Sequence, residues 1–231
     1  MDTVALVECS GLSAGYGQLP VLSDVDLRIG AGEVVALIGA NGAGKSTTLL
    51  ALAGEVPVTS GEVRFEGAAW TGPLHQRARQ GLRLITEDRS VFMSLSVADN
   101  LRLAHKSLDE PLEIFPELRP LLRRKVGLLS GGEQQMLTLA RALAGRTRVL
   151  LADELSLGLA PIIVQRLLRA VRTAADRGMG VLLVEQQIRN AFTVADRAYV
   201  LRRGRVVLEG PTSDLRERID EIEASYLAGQ G

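Results

Sequence analysis

The chain has 231 residues, 46% hydrophobic and 23% charged, which is the balance of an ordinary globular protein with room for one large domain. Lys+Arg and Asp+Glu both number 27, so the chain does not work by blanketing nucleic acid or anionic lipid with positive charge. Cys9 is its only cysteine, which excludes an intramolecular disulfide and a cysteine-only metal cage.

In chain order, the first ten residues carry Asp2 and Glu8 and lack a basic-then-apolar leader pattern. Residues 4–9, 25–29 and 62–66 read as short, half-exposed strands between Gly-rich turns, a small antiparallel sheet on one flank. Residues 34–38, 84–86, 149–152 and 181–184 are apolar runs without polar alternation, as expected of strands buried on both faces of a parallel sheet. From 88 to 146 no comparable strand is visible. That stretch is rich in Leu and Arg, holds Pro111, Pro116 and Pro120, and reads as a helical insertion in an α/β core. Pro161 opens a helix with Ile162, Ile163, Leu167, Leu168 and Val171 inward and Gln165, Arg166, Arg169 and Arg172 outward, ending at Gly178. Residues 199–203 and 205–209 flank Gly204 as a hairpin, and Leu215, Ile219, Ile222 and Tyr226 mark a closing amphipathic helix. The expected fold is a single α/β domain over 1–231, and no apolar run approaches the roughly 18–20 residues that a bilayer span requires.

The sharpest motif runs Gly39, Ala40, Asn41, Gly42, Ala43, Gly44, Lys45, Ser46, between an apolar strand and an apolar helix, and fits the phosphate-binding pattern G-x-x-x-x-G-K-[ST]. Its glycines let successive backbone N–H groups point into one concavity, and the helix start adds partial positive charge. Lys45 then supplies a mobile full charge, and Ser46 a hydroxyl for Mg²⁺. A second element is the strand at 149–152, which runs into Asp153 and Glu154. After such a loop, these acids suit a metal ligand and a base that polarises water, although many strands end in acids with no such role. The third is Leu129, Ser130, Gly131, Gly132, Glu133, Gln134, Gln135 ahead of a helix expected over 136–144. It is either a second anion-binding nest or an N-cap followed by glycines. One nucleotide needs one phosphate loop, so a second nest suggests sites shared across a dimer.

Together these three motifs, in this order, resemble the ATP-binding cassette family over nearly the whole chain, 4 to about 226. The resemblance implies a P-loop NTPase core with a flanking antiparallel β subdomain and an inserted helical subdomain. It also implies an ATP- and Mg²⁺-dependent ATPase paired with a second ATPase subunit and with transmembrane permease subunits, peripheral on the cytoplasmic face of the membrane. The wording of Thr86, Glu87, Asp88, Arg89, of the 156–161 segment and of Leu183, Val184, Glu185, Gln186, Gln187 is similar to one ATPase subunit of branched-chain amino acid importers, and urea importers carry closely similar subunits.

Carried over by this resemblance, Tyr16 stacks on adenine, with a turn aromatic as its plainer reading. The loop 39–46 with Thr47 binds ATP, and Ser46, Asp153 and Glu87 form the metal shell. Glu154 is the general base, Gln186 the γ-phosphate switch, and Ser130, Gly131, Gly132 and Glu133 grip the nucleotide of the partner chain. Departures from the family pattern are Glu87 for the usual glutamine, Leu155 for a proline, Ala160 for an aspartate and a shortened stretch near 106–112. His75 and His105 read as surface residues, Cys9 as a small strand residue, Trp70 as a cover of the flank sheet, and Arg119, Arg123, Arg124 and Lys125 as a solvated basic face. Two other classes carry less. A soluble ATP switch in assembly or DNA repair lacks the expected coiled coil or second cassette, and a GTPase lacks a guanine-reading Asn-Lys-x-Asp.

Overall fold

The computed structural model describes residues 5–88 and 90–227, with side chains up to Ala224 in the last helix. The expected roles of Val4, Arg89 and the Tyr226 side chain therefore lie outside the described residues. In chain order the elements are β1 (Ala5–Tyr16), β2 (Leu19–Gly30), β3 (Val34–Ile38), α1 (Lys45–Ala53), β4 (Val58–Phe65), β5 (Ala68–Ala69), α2 (Leu74–Arg79), β6 (Leu82–Ile85), α3 (Val97–Arg102) and α4 (Asp109–Ile114). There follow α5 (Gly131–Leu143), β7 (Val149–Asp153), α6 (Pro161–Asp176), β8 (Gly180–Val184), α7 (Ile188–Ala191), β9 (Arg197–Arg202), β10 (Arg205–Pro211), α8 (Thr212–Leu215) and α9 (Ile219–Leu227).

Two sheets carry the fold. The larger has the order β10-β9-β3-β8-β7-β6. Its strands β9, β3, β8, β7 and β6 are parallel neighbours, and β10 closes the edge antiparallel to β9. β3, β7 and β8 are buried along their full length, which is why their sequences show no polar alternation. Their side chains still divide between two cores. Val34, Ala36 and Ile38 join the core under α5 and α6, while Val35 and Leu37 join the core shared with α1 and the second sheet. That second sheet, β2-β1-β4-β5, is antiparallel throughout. β1 and β2 reach well beyond the residues expected from sequence, because Leu6, Val7, Cys9, Leu12 and Ala14 of β1 and Leu22, Val25, Leu27 and Ile29 of β2 join the core shared with α1 and the main sheet. The two sheets are pinned by Arg197 of β9, whose Nη2 donates to the Arg28 carbonyl of β2 at 2.8 Å and whose Nε donates to Glu33 Oε1, in the turn between β2 and β3, at 2.9 Å, and by Arg28 N donating to the Tyr199 hydroxyl at 3.2 Å.

The segment between β6 and β7 is helical, as expected, but much of it is short. Pro116 and Pro120 confine residues Pro116–Leu121 to a 3₁₀ helix, because proline removes the N–H that a longer α-helix uses. α3 and α4 lean on α5, burying Val97, Leu101 and Leu112 in the same core as Leu137 and Leu139.

Several expectations are corrected. α5 begins at Gly131 rather than 136, because Ser130 and Glu133 form a complete capping box that carries two glycines into the first turn. In α6 the inward stripe is Val164, Leu167, Leu168 and Val171, with Ile163 partly buried against the same core, and only Ile162 of the expected stripe is exposed, at 75%. Arg166 and Arg172, on the outward face, are tied to Glu117 and to Asp176 and Asp196. The closing helix is broken into α8, a 3₁₀ turn and α9, although Leu215, Ile219 and Ile222 are buried as their spacing suggested. His105 is half-buried, with its Nε2 2.9 Å from the Arg141 carbonyl oxygen. Trp70 does cover the flank sheet, stacked on Phe65 at 4.8 Å between ring centres, and the nearly buried Arg77 guanidinium lies over its ring.

Candidate functional site

Strand β3 ends at Ile38, and the chain turns through 39–44 into α1. The loop lies against the β9–β10 hairpin. A Cβ added to Gly39 would sit 2.4 Å from the Leu201 carbonyl oxygen, so only glycine fits there. The Ala43 carbonyl accepts from Gly204 N at 2.9 Å. Gly44 has φ +106 and caps α1 with no side-chain hydrogen bond, leaving the first-turn N–H groups for an outside acceptor. Lys45 is 5% exposed, and its Nζ donates to the carbonyls of Gly39 at 2.8 Å and Ala40 at 3.1 Å. Burial lowers the Lys45 pKa, and the charges of Glu154 and Asp153 partly restore it. Thr47 is buried beside it, and Thr48 ties back to Gly44 O through both its N–H and its hydroxyl.

Opposite this loop, β7 delivers Asp153 and Glu154. Asp153 is 8% exposed, and its Oδ1 is buried without a hydrogen-bond partner. Burial raises its pKa, with the Ser46 hydroxyl opposing this and the charges of Glu154 and Glu87 adding to it. A buried acceptor with an unused lone pair, a serine hydroxyl beside it and a further carboxylate nearby form an all-oxygen donor set of the kind Mg²⁺ takes. The residues therefore fit that ion. Glu154 stands in the left-handed region, φ 49, with its N–H on Val184 O at 3.0 Å and its Oε1 accepting from Gln186 Nε2 at 2.8 Å. The switch expected of Gln186 is thus linked directly to the expected base.

One cavity of about 380 Å³ is lined by Asn41, Gly42, Gly44, Lys45, Ser46, Thr47, Glu87, Glu154 and Gln186, with Val21 and Leu157. Of the expected residues, Gly39, Ala40, Ala43 and Asp153 are not part of its lining, and neither are Tyr16 and the Ser130–Glu133 group. Tyr16 ends β1 on the outer sheet with 52% exposure, which leaves its ring face free for a planar ligand. Ser130, Gly131, Gly132 and Glu133 open α5, with Ser130 exposed. There Ser130 Oγ accepts from Glu133 N at 3.3 Å, and Glu133 Oε2 accepts from Ser130 N at 2.7 Å and from its hydroxyl at 2.8 Å. Within one chain this segment is the N-cap of the plainer reading. A slightly larger cavity, about 420 Å³, runs between α4 and α6 and is lined by none of the expected residues, and the chemistry places the site at the phosphate loop.

Sequence reasoning assigned no role to the buried pair Glu185 and Ser156. Glu185 is 1% exposed, and its carboxylate accepts from Ser156 N at 3.1 Å and Ser156 Oγ at 2.5 Å. Burial pushes its pKa up to about 7, against the two Ser156 hydrogen bonds and with the charges of Glu154 and Asp153 adding to the rise. The available signal was an acid directly after four apolar strand residues, 181–184, where a charge is costly.

Comparison with known proteins agrees with this geometry. The family model described as ABC transporter matches residues 22–156. The chain is 40% identical over 228 residues to the high-affinity branched-chain amino acid transport ATP-binding protein BraG of Pseudomonas aeruginosa, covering 94% of this chain and 97% of that one. It is 34% identical to the lipopolysaccharide export system ATP-binding protein LptB of Escherichia coli, over 97% of this chain and 98% of that one. Among solved structures, the ATP binding subunit of an ABC transporter superposes with a TM-score of 0.82 at 29% identity, covering 96% of this chain and 99% of that chain.

Proposed function

The chain belongs to the ABC transporter family, whose cassettes bind and hydrolyse ATP for transport, and from that premise we propose that it powers an importer of branched-chain or related amino acids. The observation that carries the catalytic part is the convergence of Lys45, Ser46, Glu87, Glu154 and Gln186 on one cavity, with the unpartnered Asp153 Oδ1 beside it. The cargo reading rests on the 40% identity to an amino acid transport ATPase, against 34% to an export ATPase.

In this reading the N–H groups of 39–46 cradle the phosphates, and Lys45 exchanges its own-loop carbonyls for phosphate oxygens. Ser46, Asp153 and Glu87 would hold Mg²⁺, which when bound would neutralise the charge that spreads over the phosphoryl oxygens. Glu154 takes a proton from the attacking water. Gln186, already donating to Glu154 Oε1, fixes which carboxylate oxygen faces that water. Tyr16 stacks on the base of the nucleotide. Ser130, Gly131 and Gly132 meet the γ-phosphate of a second ATPase subunit, Ser130 releasing Glu133 as it does so. Among the described residues no helix is long and apolar enough to cross a membrane. In this reading permease subunits form the cargo path, and this chain docks on their cytoplasmic side.

Two measurements test the reading. Phosphate release from ATP with Mg²⁺ is expected from the wild type and absent from Glu154→Gln. Vesicles holding this chain with the permeases and binding protein encoded beside it are expected to accumulate labelled leucine in an ATP-dependent way. An assembled, ATP-hydrolysing complex that moves no amino acid would overturn the cargo reading and leave the ATPase reading standing.

A further inference from the structure

Where β7 and β8 end, their neighbouring chains continue side by side and stay bonded. Val184 O accepts from Glu154 N at 3.0 Å. One residue on, Glu185 takes both the N–H of Ser156, at 3.1 Å, and its hydroxyl, at 2.5 Å. One residue further, Gln186 Nε2 reaches back to Glu154 Oε1 at 2.8 Å. Three consecutive residues of one strand end thus hold residues 154 and 156 of the other, with Glu185 as the middle rung.

The middle rung holds the part that needs holding. Glu154 has φ 49, a conformation that a residue with a side chain keeps only where its surroundings over-determine it. The backbone N–H of Ser156 lies two residues past that strained position. Its acceptor is a carboxylate 1% exposed to solvent that takes two hydrogen bonds from this one serine. An apolar residue would fill the same volume without the cost of desolvating an acid, so packing alone does not account for a glutamate.

We propose that Glu185 is a positioning residue for ATP hydrolysis: by gripping Ser156 it fixes the turn that carries Glu154, so that the Glu154 carboxylate and the Gln186 amide face the phosphate cavity together. The proposal rests on Glu154 being the general base. Glu185 itself touches neither nucleotide nor water. It acts on the rate of chemistry and leaves the grip of the phosphate loop on ATP unchanged.

The test is steady-state ATPase kinetics on the full chain in its active assembly, with KM for ATP and thermal midpoint measured for each variant. Glu185→Ala removes the rung, and kcat is expected to fall about tenfold to a hundredfold, the usual penalty for a catalytic group displaced by about an ångström, with KM unchanged. Glu185→Gln keeps an acceptor for Ser156 N and an amide for its hydroxyl, so most of the rate is expected to return. Ser156→Ala loses one of the two bonds and is expected to lose a few-fold in kcat. Added to Glu185→Ala it is expected to cost nothing more, since both changes break the same link. If Glu185→Ala is too unstable to assay, the Ser156→Ala and Glu185→Gln values decide. Wild-type kcat in Ser156→Ala and in Glu185→Ala, or losses in kcat that track only the folded, ATP-binding fraction, overturns the proposal. Glu154→Gln in the same assay separates the causes of failure. Wild-type hydrolysis there means that Glu154 was misread, whereas an inactive Glu154→Gln beside a fully active Glu185→Ala refutes the role of Glu185 alone.

Discussion

The phosphate cavity and the start of α5 are both helix N-termini rich in glycine, yet they are built in opposite ways. The cavity draws 41–42, 44–47, Glu87, Glu154 and Gln186 from separate segments, and Lys45 in it is 5% exposed. No side chain caps α1, and its open N–H groups face a space held by β3, β7, β8 and the β9–β10 turn. The start of α5 is assembled from four consecutive residues, stands exposed, and caps itself through Ser130 and Glu133. The first is a cradle whose α1 carries no side-chain cap, with Lys45 parked on its own loop's carbonyls. The second has spent Ser130 N, the Ser130 hydroxyl and Glu133 N on its own cap and has to release Glu133 before Ser130 can meet an outside acceptor. That contrast is the physical content of the shared-site model, and it makes the two regions respond differently to mutation.

The largest difference is expected at Lys45. In Lys45→Ala the cavity loses the one cation among its described lining residues, and ATP hydrolysis is expected to fall at least about a hundredfold, as for removal of a charge aimed at the transferring phosphoryl group. The thermal midpoint is expected to hold, because Nζ bonds only its own loop's carbonyls. Phosphate release together with circular dichroism checks both halves. Ser130→Ala is the matching change at α5. It should cost about 1 kcal/mol of stability through the lost cap and roughly tenfold in activity, since the Gly131 and Gly132 N–H groups remain. A Ser130→Ala chain with full activity and lowered stability would reduce the second site to a plain cap.

Two smaller effects sharpen the cavity side. Glu87 sits in its lining as a carboxylate that a phosphate avoids unless a cation lies between them. Glu87→Gln is expected to bind ATP several-fold better in EDTA, with the gap closing at millimolar Mg²⁺, and calorimetric titration reads the difference. The smallest effect is on stability. Glu185 has its pKa raised to about 7 in the folded chain from 4.5 unfolded. The folded state therefore binds this proton more tightly, and stability at this site is greatest below the unfolded value and is lost as pH rises through 7. Glu185→Gln is expected to match the wild type near pH 5 and to melt a few degrees higher at pH 8. Melting curves with the same pH slope in both proteins would contradict the assigned burial.

What sequence made legible follows the same division. The strand–loop–helix at 34–53 and the acids after β7 were readable because their chemistry is local and dictates spacing. The unbroken apolar runs announced β3, β7 and β8, and the Gly-punctuated strands announced the flank sheet. The Glu185–Ser156 rung was not readable, because it requires knowing that β7 and β8 are neighbours, and nothing in either segment says so. The start of α5 was misplaced because glycine is a poor helix former, and the Ser130–Glu133 box outweighs it. Ile162 pointed the wrong way in the expectation because an apolar residue at the first turn was assigned to the inward stripe, which in fact begins with the partly buried Ile163.

The central claim is that each complete site joins the cavity of one chain to the α5 start of another. Glu154→Gln tests it most directly, because the amide keeps the shape of the acid, cannot take the proton of water, and removes a negative charge close to the γ-phosphate. Size-exclusion chromatography with light scattering, run with ATP and with any ATPase subunit encoded beside this one, is expected to show a dimer for Glu154→Gln. It is expected to show a monomer once Ser130→Arg is added, because the bulky side chain blocks the partner's phosphate. A monomer in both, with ATP bound in the cavity and the second subunit present, would contradict the claim.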